Sequence, residues 1–186
     1  MAEKLITPEA MLSYPALFQP KPTPSGELKY GCALVFQEGA DLSALKKAAL
    51  AVLEERWGAK AKEMLQKKQL KWPFRDGAER DAQGYGPGTT FINVSSKQQP
   101  GVVDRYAGLD GRPRSITDPS EVYPGCFVRA SLRPFTYDTN GSKGVSFGLQ
   151  NLQKLRDGER IDGRMRPEDE FEAIERGAAD LEDLLT

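Results

Sequence analysis

The chain has 186 residues and a net charge of −1; 39% of the residues are hydrophobic and 28% are charged, which fits a soluble globular protein of about one domain. It contains no histidine, which excludes Ser-His-Asp and Cys-His nucleophiles, histidine general bases and zinc sites with histidine ligands. Cys32 and Cys126 have no C-x-x-C spacing and no apolar run reaches the roughly 20 residues of a membrane span, so we expect a cytoplasmic protein with buried thiols.

The net charge conceals an asymmetry along the chain. Residues 167–186 contain eight acidic residues and one arginine, a net charge of −7, whereas the first 166 residues contain 25 basic and 19 acidic residues, a net charge of +6. We therefore predict a domain over residues 1–166 and an acidic tail over residues 167–186. Such a tail is either a solvated terminus or a polyanion that competes for a cationic groove built for nucleic acid.

The first predicted elements are two strands in residues 11–36, separated by a proline- and glycine-rich turn at residues 21–27. In residues 28–36 both faces carry apolar side chains, so this strand is expected to be covered on both sides. From Asp41 to Gln69 the apolar residues recur at helical spacing, and Gly58 is expected to end or kink the first helix.

Residues 71–89 are too rich in glycine, proline and charge for a regular element and are predicted to form a loop. This loop carries Trp72, Arg75 and Tyr85, side chains that can stack on bases and contact phosphates. Alternatively, Trp72, which precedes Pro73, pins the loop to the body of the protein.

In the strand predicted after this loop, alternate residues from Thr90 face the core. Phe91 and Lys97 then lie on the opposite face among polar neighbours, and a large ring there indicates a contact surface. Residues 98–125 contain turn signals throughout and are predicted to form a long loop, a feature that is usually functional or disordered in a compact domain.

The most informative segment is the strand predicted at residues 127–137. Its alternation places Val128, Ala130 and Leu132 on an aliphatic core face. The other face interleaves rings with guanidinium groups, in the order Phe127, Arg129, Ser131, Arg133, Phe135 and Tyr137. This pattern is typical of a platform for single-stranded nucleic acid, and it also fits a second buried layer with arginines at its rim.

The following strand begins near Lys143, which adds a positive charge to the predicted surface. One face carries Val145, Phe147 and Leu149, and the other carries only glycine and serine, so a helix, a loop or a ligand can approach it closely. In the tail, apolar residues keep helical spacing, which favours a helix formed on a partner: Phe171, Ile174, Ala178, Leu181 and Leu185.

Carboxylates are the remaining route to catalysis. Asp76, Glu79 and Asp81, or the acidic run at residues 168–170, are candidate magnesium ligands for a nuclease. A glycine-rich loop and a terminal tail hold such ligands poorly. We therefore predict a non-enzymatic protein without metal or cofactor.

Six segments, taken in order, resemble a phage-encoded family of single-stranded DNA-binding proteins that was formerly a domain of unknown function: residues 12–18, 28–36, 70–77, 98–104, 121–132 and 143–160. The resemblance extends from about residue 11 to residue 163. It implies a mainly β protein with an OB-fold, a five-stranded Greek-key barrel, here with a helical insertion at residues 41–69. It also implies a role in phage DNA replication or recombination in the host cytoplasm, with an acidic tail that competes with DNA and recruits replication partners.

We therefore predict a protein that coats single-stranded DNA with little sequence preference and binds duplex DNA more weakly. The predicted binding residues are Trp72, Arg75, Tyr85, Phe91, Lys97, Arg129, Arg133, Phe135, Tyr137 and Lys143. Replication or recombination proteins are expected to bind the tail, no membrane is involved, and the protein is a monomer or a dimer. The alternative is a protein-interaction or virion structural module that uses the same arginines and rings as a protein interface.

Overall fold

A computed structural model describes residues 5–165 and 167–175. Within these residues the strands are β1 (Leu5–Ile6), β2 (Ala10–Pro22), β3 (Leu28–Phe36), β4 (Arg75–Asp76), β5 (Thr90–Ser96), β6 (Gly101–Ala107), β7 (Pro113–Ser115), β8 (Phe127–Thr139) and β9 (Ser142–Arg156). The α-helices are α1 (Ser43–Trp57), α2 (Ala61–Gln66) and α3 (Pro167–Glu170), and single 3₁₀ turns lie at Gly58–Lys60, Gly77–Glu79 and Pro119–Glu121.

Five of the strands form a closed ring. Antiparallel pairs join β2 to β3, β3 to β5, β8 to β9 and β8 to β2, and the parallel pair of β5 with β9 completes the circle. The other strands attach outside the ring, β1 to β8, β4 to β5, β6 to β9 and β7 to β6. Closure pairs both edges of each ring strand, so the ring presents a continuous outer surface. The predicted mainly β architecture is confirmed.

The main core lies inside the ring. Alternate residues of the ring strands point inward and are buried, as predicted for β8 and β9: Leu34, Phe36, Ile92, Val94, Val128, Ala130, Leu132, Val145, Phe147 and Leu149. Helix α1 adds Leu45, Ala49 and Leu53, one residue per helical turn, and packs against β8 and β9. The helix ends at Gly58, whose φ of 67° lies in the left-handed region that glycine adopts without strain. The predicted helical insertion is confirmed.

A second, smaller hydrophobic cluster lies on the outer face of the sheet. It contains Met11, Val35 and Phe91, and the partly buried side chains of Tyr85, Phe127 and Ile161 pack against it. Val35 therefore belongs to this outer cluster, while Leu34 and Phe36 point into the main core. The prediction that residues 28–36 are covered on both sides is confirmed for residues 32–36, which are all buried. It is wrong for residues 28–31, because Leu28 is 57% exposed and the next three residues are partly exposed.

The prediction of one long loop over residues 98–125 is wrong, because the hairpin of β6 and β7 lies within it. β6 pairs in parallel with β9, and the hairpin is anchored by Val102 and Ile116, which are buried. The Ile116 amide donates to the Val102 carbonyl at 2.9 Å. Residues 71–89 likewise contain a short strand, β4, because two residues there pair with the edge of β5.

The acidic tail is described up to residue 175. Of the described tail residues, Pro167–Glu170 is helical and residues 171–175 are not. The helix predicted from the apolar spacing is one formed on a partner, and it stays a prediction. Phe171 and Ile174 are 71% and 93% exposed, so neither has an apolar surface on which a helix would be stabilised. The remaining apolar positions of the pattern, Ala178, Leu181 and Leu185, lie outside the described residues.

Candidate nucleic-acid interface

A row of small residues crosses the outer face of the ring. Consecutive strands pair Ala16 with Gly31, Gly31 with Ser95, and Ser95 with Gly148, and Gly148 in turn pairs with Arg133. Directly paired residues project from the same face of a sheet, so these residues form one continuous line, called here the small-residue row. Its small members are partly exposed and Arg133 is exposed. The row is a shallow trough with a guanidinium group at its β8 end.

Two glycines give the trough its depth for different reasons. A Cβ atom at Gly31 would lie 2.5 Å from the Val94 carbonyl oxygen, so the close approach of β3 to β5 requires glycine there. A Cβ atom at Gly148 would meet the Arg133 carbonyl oxygen at 3.6 Å, an ordinary contact. Gly148 is therefore a residue whose missing side chain leaves space outside the sheet. A cavity of about 460 Å³ at this place is lined by Ser96, Gln98, Gln99, Arg133, Gly148, Leu149, Gln150 and Asn151.

A lysine strip, formed by Lys21, Lys29 and Lys97, lies beside this row. Lys21 pairs with Lys29 across β2 and β3, and Lys97 follows Ser95 by two residues. Glu27, in the turn between β2 and β3, lies 2.9 Å from the Lys97 ammonium and 3.8 Å from that of Lys29. The hydrogen bond from Lys97 lowers the pKa of the Glu27 carboxyl. The Glu27 carboxylate thus neutralises part of the positive charge of the lysine strip.

The outward face of β8 carries the predicted alternation of charges and rings. Arg129 and Arg133 are exposed and Phe135 is 44% exposed, whereas Val128, Ala130 and Leu132 on the opposite face are buried. The Arg129 Nε donates to Gln153 Oε1 at 2.7 Å. Of this face, only Phe127 packs against a hydrophobic cluster, and Arg156 lies 3.7 Å from its ring centroid. Among the described residues, this exposure supports the platform rather than a second buried layer.

Tyr137 and Lys143 lie at the hairpin end of the same two strands. Tyr137 pairs with Gly144, and Lys143 pairs with Asp138. The small face of β9 is approached there by the loop after α2, because the Lys71 amide donates to the Lys143 carbonyl at 2.9 Å. A Cβ atom at Gly144 would clash with the backbone of Lys71. The predicted close approach to this face is made at Gly144 by a loop of the protein itself.

A cluster of arginines and rings covers the other half of the outer face. The Arg80 guanidinium lies 5.1 Å from the Phe91 ring centroid and 5.2 Å from that of Tyr85. Arg75 lies 5.2 Å from the Phe91 centroid, and Tyr85 meets Phe91 edge to face at 5.1 Å. The structure thus brings together three predicted residues from the loop and from β5, with Arg80 at their centre.

Two of the predicted DNA-binding residues, Phe91 and Trp72, pack against the hydrophobic clusters of the protein. The prediction of an exposed Phe91 is wrong: the residue is 1% exposed, because the loop before β5 folds over the outer face and buries the ring against Met11 and Val35. Trp72 packs against the main core, with its ring centroid 5.3 Å from that of Phe74. This supports the alternative in which Trp72 pins the loop to the body.

Sequence analysis missed Tyr14 and Arg80. Tyr14 is 59% exposed, and the Arg80 guanidinium lies 5.1 Å from its ring centroid. A signal for Tyr14 was present, since the buried residues Leu12 and Leu17 are five positions apart, and an odd spacing within one strand requires an inserted residue. No sequence pattern indicated Arg80, because only the fold brings Tyr14, Tyr85 and Phe91 together around its guanidinium group.

Two of the candidate catalytic carboxylates, Asp76 and Glu79, make contacts within their own loop. Asp76 accepts the Ala78 amide at 2.9 Å and Glu79 lies 3.6 Å from Arg75. Among the residues that the structure describes, no cluster of three or more acidic or cysteine side chains could hold a metal ion. Burial raises the pKa of the Cys32 thiol to about 12 and that of Cys126 to about 11, so both are protonated at neutral pH and neither is a thiolate nucleophile. In the described part of the chain, no helix is long and apolar enough to cross a membrane.

Comparison with known proteins identifies the family. A family model described as the Enterobacter phage Enc34 ssDNA-binding protein matches residues 3–185. "Putative protein p50" of Acyrthosiphon pisum secondary endosymbiont phage 1 is 34% identical over 163 residues, which are 82% of this chain and 83% of that protein.

Solved structures share the fold. The single-stranded DNA-binding protein from bacteriophage Enc34 has a TM-score of 0.60 at 22% identity, over 91% of this chain and 90% of that chain. The same protein in complex with ssDNA has a TM-score of 0.59 at 21% identity, over 85% and 89%. The single-stranded DNA-binding protein gp2.5 of bacteriophage T7 has a TM-score of 0.61 at 12% identity, over 89% and 98%. The family resemblance found in the sequence is confirmed: the chain belongs to the family of the Enterobacter phage Enc34 ssDNA-binding protein.

Proposed function

We propose that this protein binds single-stranded DNA with little sequence preference along the small-residue row and the outward face of β8. The observation that carries the proposal is the unbroken row from Ala16 to Arg133, which ends at exposed guanidinium and aromatic groups on β8. Membership of a phage ssDNA-binding protein family supports the same conclusion. The protein acts without catalysis, metal or cofactor, as a coat for DNA during phage replication or recombination in the host cytoplasm.

The dimensions of the row suit a single strand. Five strands at a spacing of about 4.8 Å make a path of about 19 Å along the curved surface. A path of this length accommodates a few nucleotides. An OB-fold barrel binds roughly 4–16 nucleotides, so the row fits the lower end of that range. Rings such as Phe135 stack on any base, whereas Arg133 and the lysine strip meet phosphates, so binding requires no particular sequence.

We infer further that the ring is an OB-fold, the five-stranded Greek-key barrel. Its pairing order is β2, β3, β5, β9 and β8, with a single parallel pair, and the helical insertion of α1 and α2 lies between the second and third ring strands. OB-folds bind oligonucleotides on the face of their second and third strands and with the loops after their first and fourth strands. In this chain those strands are β3 and β5, and the loop after the first is the turn that contains Glu27.

The acidic tail is the second part of the proposal. Residues 167–186 compete with DNA for the basic domain of residues 1–166 and recruit replication or recombination proteins when DNA displaces them. Opposite net charges of −7 and +6 support this competition. Within the described part, the tail residues Glu168 and Asp169 line a cavity of about 650 Å³ together with Lys154, Arg160 and Arg164.

The proposed DNA interface is tested by titrating a labelled single-stranded oligonucleotide and its duplex at two salt concentrations. Arg133→Ala should weaken binding and flatten the slope of log K against log salt by about 0.7, the value for one phosphate contact on a single strand. Tyr137→Ala should weaken binding without changing the slope, by about 1–3 kcal/mol for one stacked base. Arg112→Ala, on the exposed turn between β6 and β7, is the matched control for lost charge.

The outcomes separate the proposed function from its alternative. Absence of binding at low salt would overturn DNA binding. A partner protein bound with little salt dependence through Arg133 would then favour the protein-interface alternative. Unchanged affinity in both variants would move the interface away from β8. Truncation to residues 1–166 should tighten binding at low salt, and an unchanged affinity there would remove the competition by the tail alone.

A further inference from the structure

Tyr14 lies on a β-bulge at one end of the small-residue row. Ser13 pairs with Ala33 and Ala16 pairs with Gly31, so three steps along β2 match two steps along β3 and one residue is inserted. Tyr14 has a φ of 47°, in the left-handed region that a bulky side chain rarely adopts, and it precedes a proline. The bulge turns the ring to the outside, where it is 59% exposed. Backbone strain of this kind occurs mainly at binding sites, because the surroundings must maintain it.

The surroundings of Tyr14 hold its ring from one side. The Arg80 guanidinium lies 5.1 Å from the Tyr14 centroid, 5.2 Å from that of Tyr85 and 5.1 Å from that of Phe91. Arg80 Nη1 also donates to the Tyr85 hydroxyl at 3.3 Å. Because Phe91 is buried in the outer cluster, it anchors this group to the sheet. One buried ring and one cation therefore preorganise two partly exposed tyrosines.

A cavity of about 370 Å³ opens beside these two tyrosines. It is lined by Ser13, Tyr14, Pro15, Lys21, Ala82, Gln83, Tyr85, Pro124, Ile161 and Asp162. Rings, prolines and Ile161 make most of the lining apolar, and Ser13 and Gln83 add uncharged polar groups. Lys21, a member of the lysine strip, supplies a cation, while the Asp162 carboxylate accepts a hydrogen bond from Arg160 at 2.8 Å. The lining thus combines flat apolar walls, a few hydrogen-bonding groups and a lysine.

This chemistry matches one unpaired nucleobase with its sugar and phosphate. Bases stack on tyrosine rings and on arginine planes, their edges accept and donate hydrogen bonds, and the adjacent phosphate attracts an ammonium group. The cavity is within the size range of small-ligand pockets. Ala16, the first residue of the row, is two residues from Tyr14, so a strand lying in the row reaches the cavity without leaving the surface.

We propose that the cavity between Tyr14 and Tyr85 binds one unpaired nucleobase of the DNA strand and extends the interface beyond the β2 end of the small-residue row. This inference rests on the proposed single-stranded DNA binding and adds a site to it. Tyr14 supplies the stacking surface, Arg80 positions both tyrosines, and Lys21 neutralises the neighbouring phosphate.

The test compares Tyr14→Ala with Tyr106→Ala on oligonucleotides that carry a single abasic position moved along the strand. Tyr106 is the matched control, because it is 69% exposed and has Arg105 5.5 Å from its ring centroid, but it lies on the hairpin of β6 and β7. Tyr14→Ala should raise Kd by about 5- to 150-fold, the effect of one stacked base, with an unchanged salt slope. Tyr106→Ala should stay within about twofold of the wild type.

The abasic series gives a second readout. At one position of the strand, removal of the base should weaken the wild type but not weaken Tyr14→Ala further, because both changes remove the same contact. Photocrosslinking of 5-iododeoxyuridine at that position should label Tyr14 or Tyr85 in the wild type. Three results would each overturn the nucleobase site while DNA binding stands. The first is a folded Tyr14→Ala protein with wild-type affinity, and the second is an abasic substitution that weakens Tyr14→Ala as much as the wild type at every position. The third is the absence of a crosslink to either tyrosine. A wild type that does not bind DNA at low salt would overturn the proposed function and this site with it.

Discussion

Substitution of Gly148 by valine tests the path of the DNA with little risk to the fold. Gly148 is the central small residue between Ser95 and Arg133, and its φ is not in the left-handed region. An added Cβ atom would lie 3.6 Å from the Arg133 carbonyl oxygen and 3.9 Å from that of Ser95, which are ordinary contacts. Valine is also favoured in strands. We expect the free energy of unfolding to change by about 0.5 kcal/mol or less.

The same substitution should weaken DNA binding, because the valine side chain fills the floor of the small-residue row. If the strand loses one base contact, the cost is about 1–3 kcal/mol, which is about 5- to 150-fold in Kd. No charge changes, so the number of phosphate contacts and the slope against salt should be kept. Weaker binding with an unchanged slope distinguishes a filled trough from a lost phosphate contact.

The assay is fluorescence anisotropy of a labelled oligonucleotide at two salt concentrations, with thermal unfolding of each variant alongside. Gly108→Val is the matched control, since a Cβ atom there would meet the Arg114 Cα at an ordinary 3.6 Å and the residue lies on the hairpin of β6 and β7. The control should bind DNA like the wild type. A folded Gly148→Val protein with wild-type affinity would refute the path across the row.

Three further predictions concern single groups. Gly31→Val should destabilise the protein by about 2 kcal/mol, because its Cβ atom would lie 2.5 Å from the Val94 carbonyl oxygen. In a domain of this size that cost lowers Tm by about 4–8 °C, and a Tm equal to the wild type would contradict the required close approach. Glu27→Gln should tighten DNA binding and steepen the salt slope by about 0.7 for each lysine released, whereas an unchanged titration would exclude Glu27 as an internal competitor. The pKa of Cys32 is raised from 9.0 to about 12 by burial, so the stability that it contributes is complete below about pH 9 and is lost as pH rises toward 12. The free energy of unfolding in urea, measured at pH 8 and at pH 10, should therefore decrease less for Cys32→Ala than for the wild type. An equal decrease in the two proteins would contradict the buried thiol.

The sequence predicted the ring strands because their periodicity follows from burial. Val128, Ala130 and Leu132 in β8 and Val145, Phe147 and Leu149 in β9 alternate along their strands and point into the ring. Leu45, Ala49 and Leu53 show the helical period in α1 in the same way. The hairpin of β6 and β7 lacked such a pattern, since its anchors in the core are only Val102 and Ile116. Its partner strand β9 is also about 50 residues away, and pairing across that distance leaves no local signal.

For the candidate site, the sequence predicted which side chains face outward from the strands. It did not predict which of these side chains a loop would bury. The exposure of Arg129, Arg133 and Phe135 follows from alternation within β8 alone. Phe91 obeys the same alternation, yet a loop that ends just before it covers its ring. An outward ring has the same sequence pattern whether or not a loop lies over it. The exposure of a ring therefore depends on tertiary contacts that periodicity does not encode.

The buried position of Phe91 gives it an indirect part in the proposed interface. The outer face of the ring is divided in two, with the cluster around Phe91 filling one half and small residues leaving the other half open. Because Arg75, Arg80 and Tyr85 all contact the Phe91 ring, the loop that carries them forms a fixed wall beside the open half. A wall held in place before DNA arrives loses less conformational entropy on binding than a free loop would. The ring predicted to stack on DNA thus supports the neighbouring side chains that are exposed to do so.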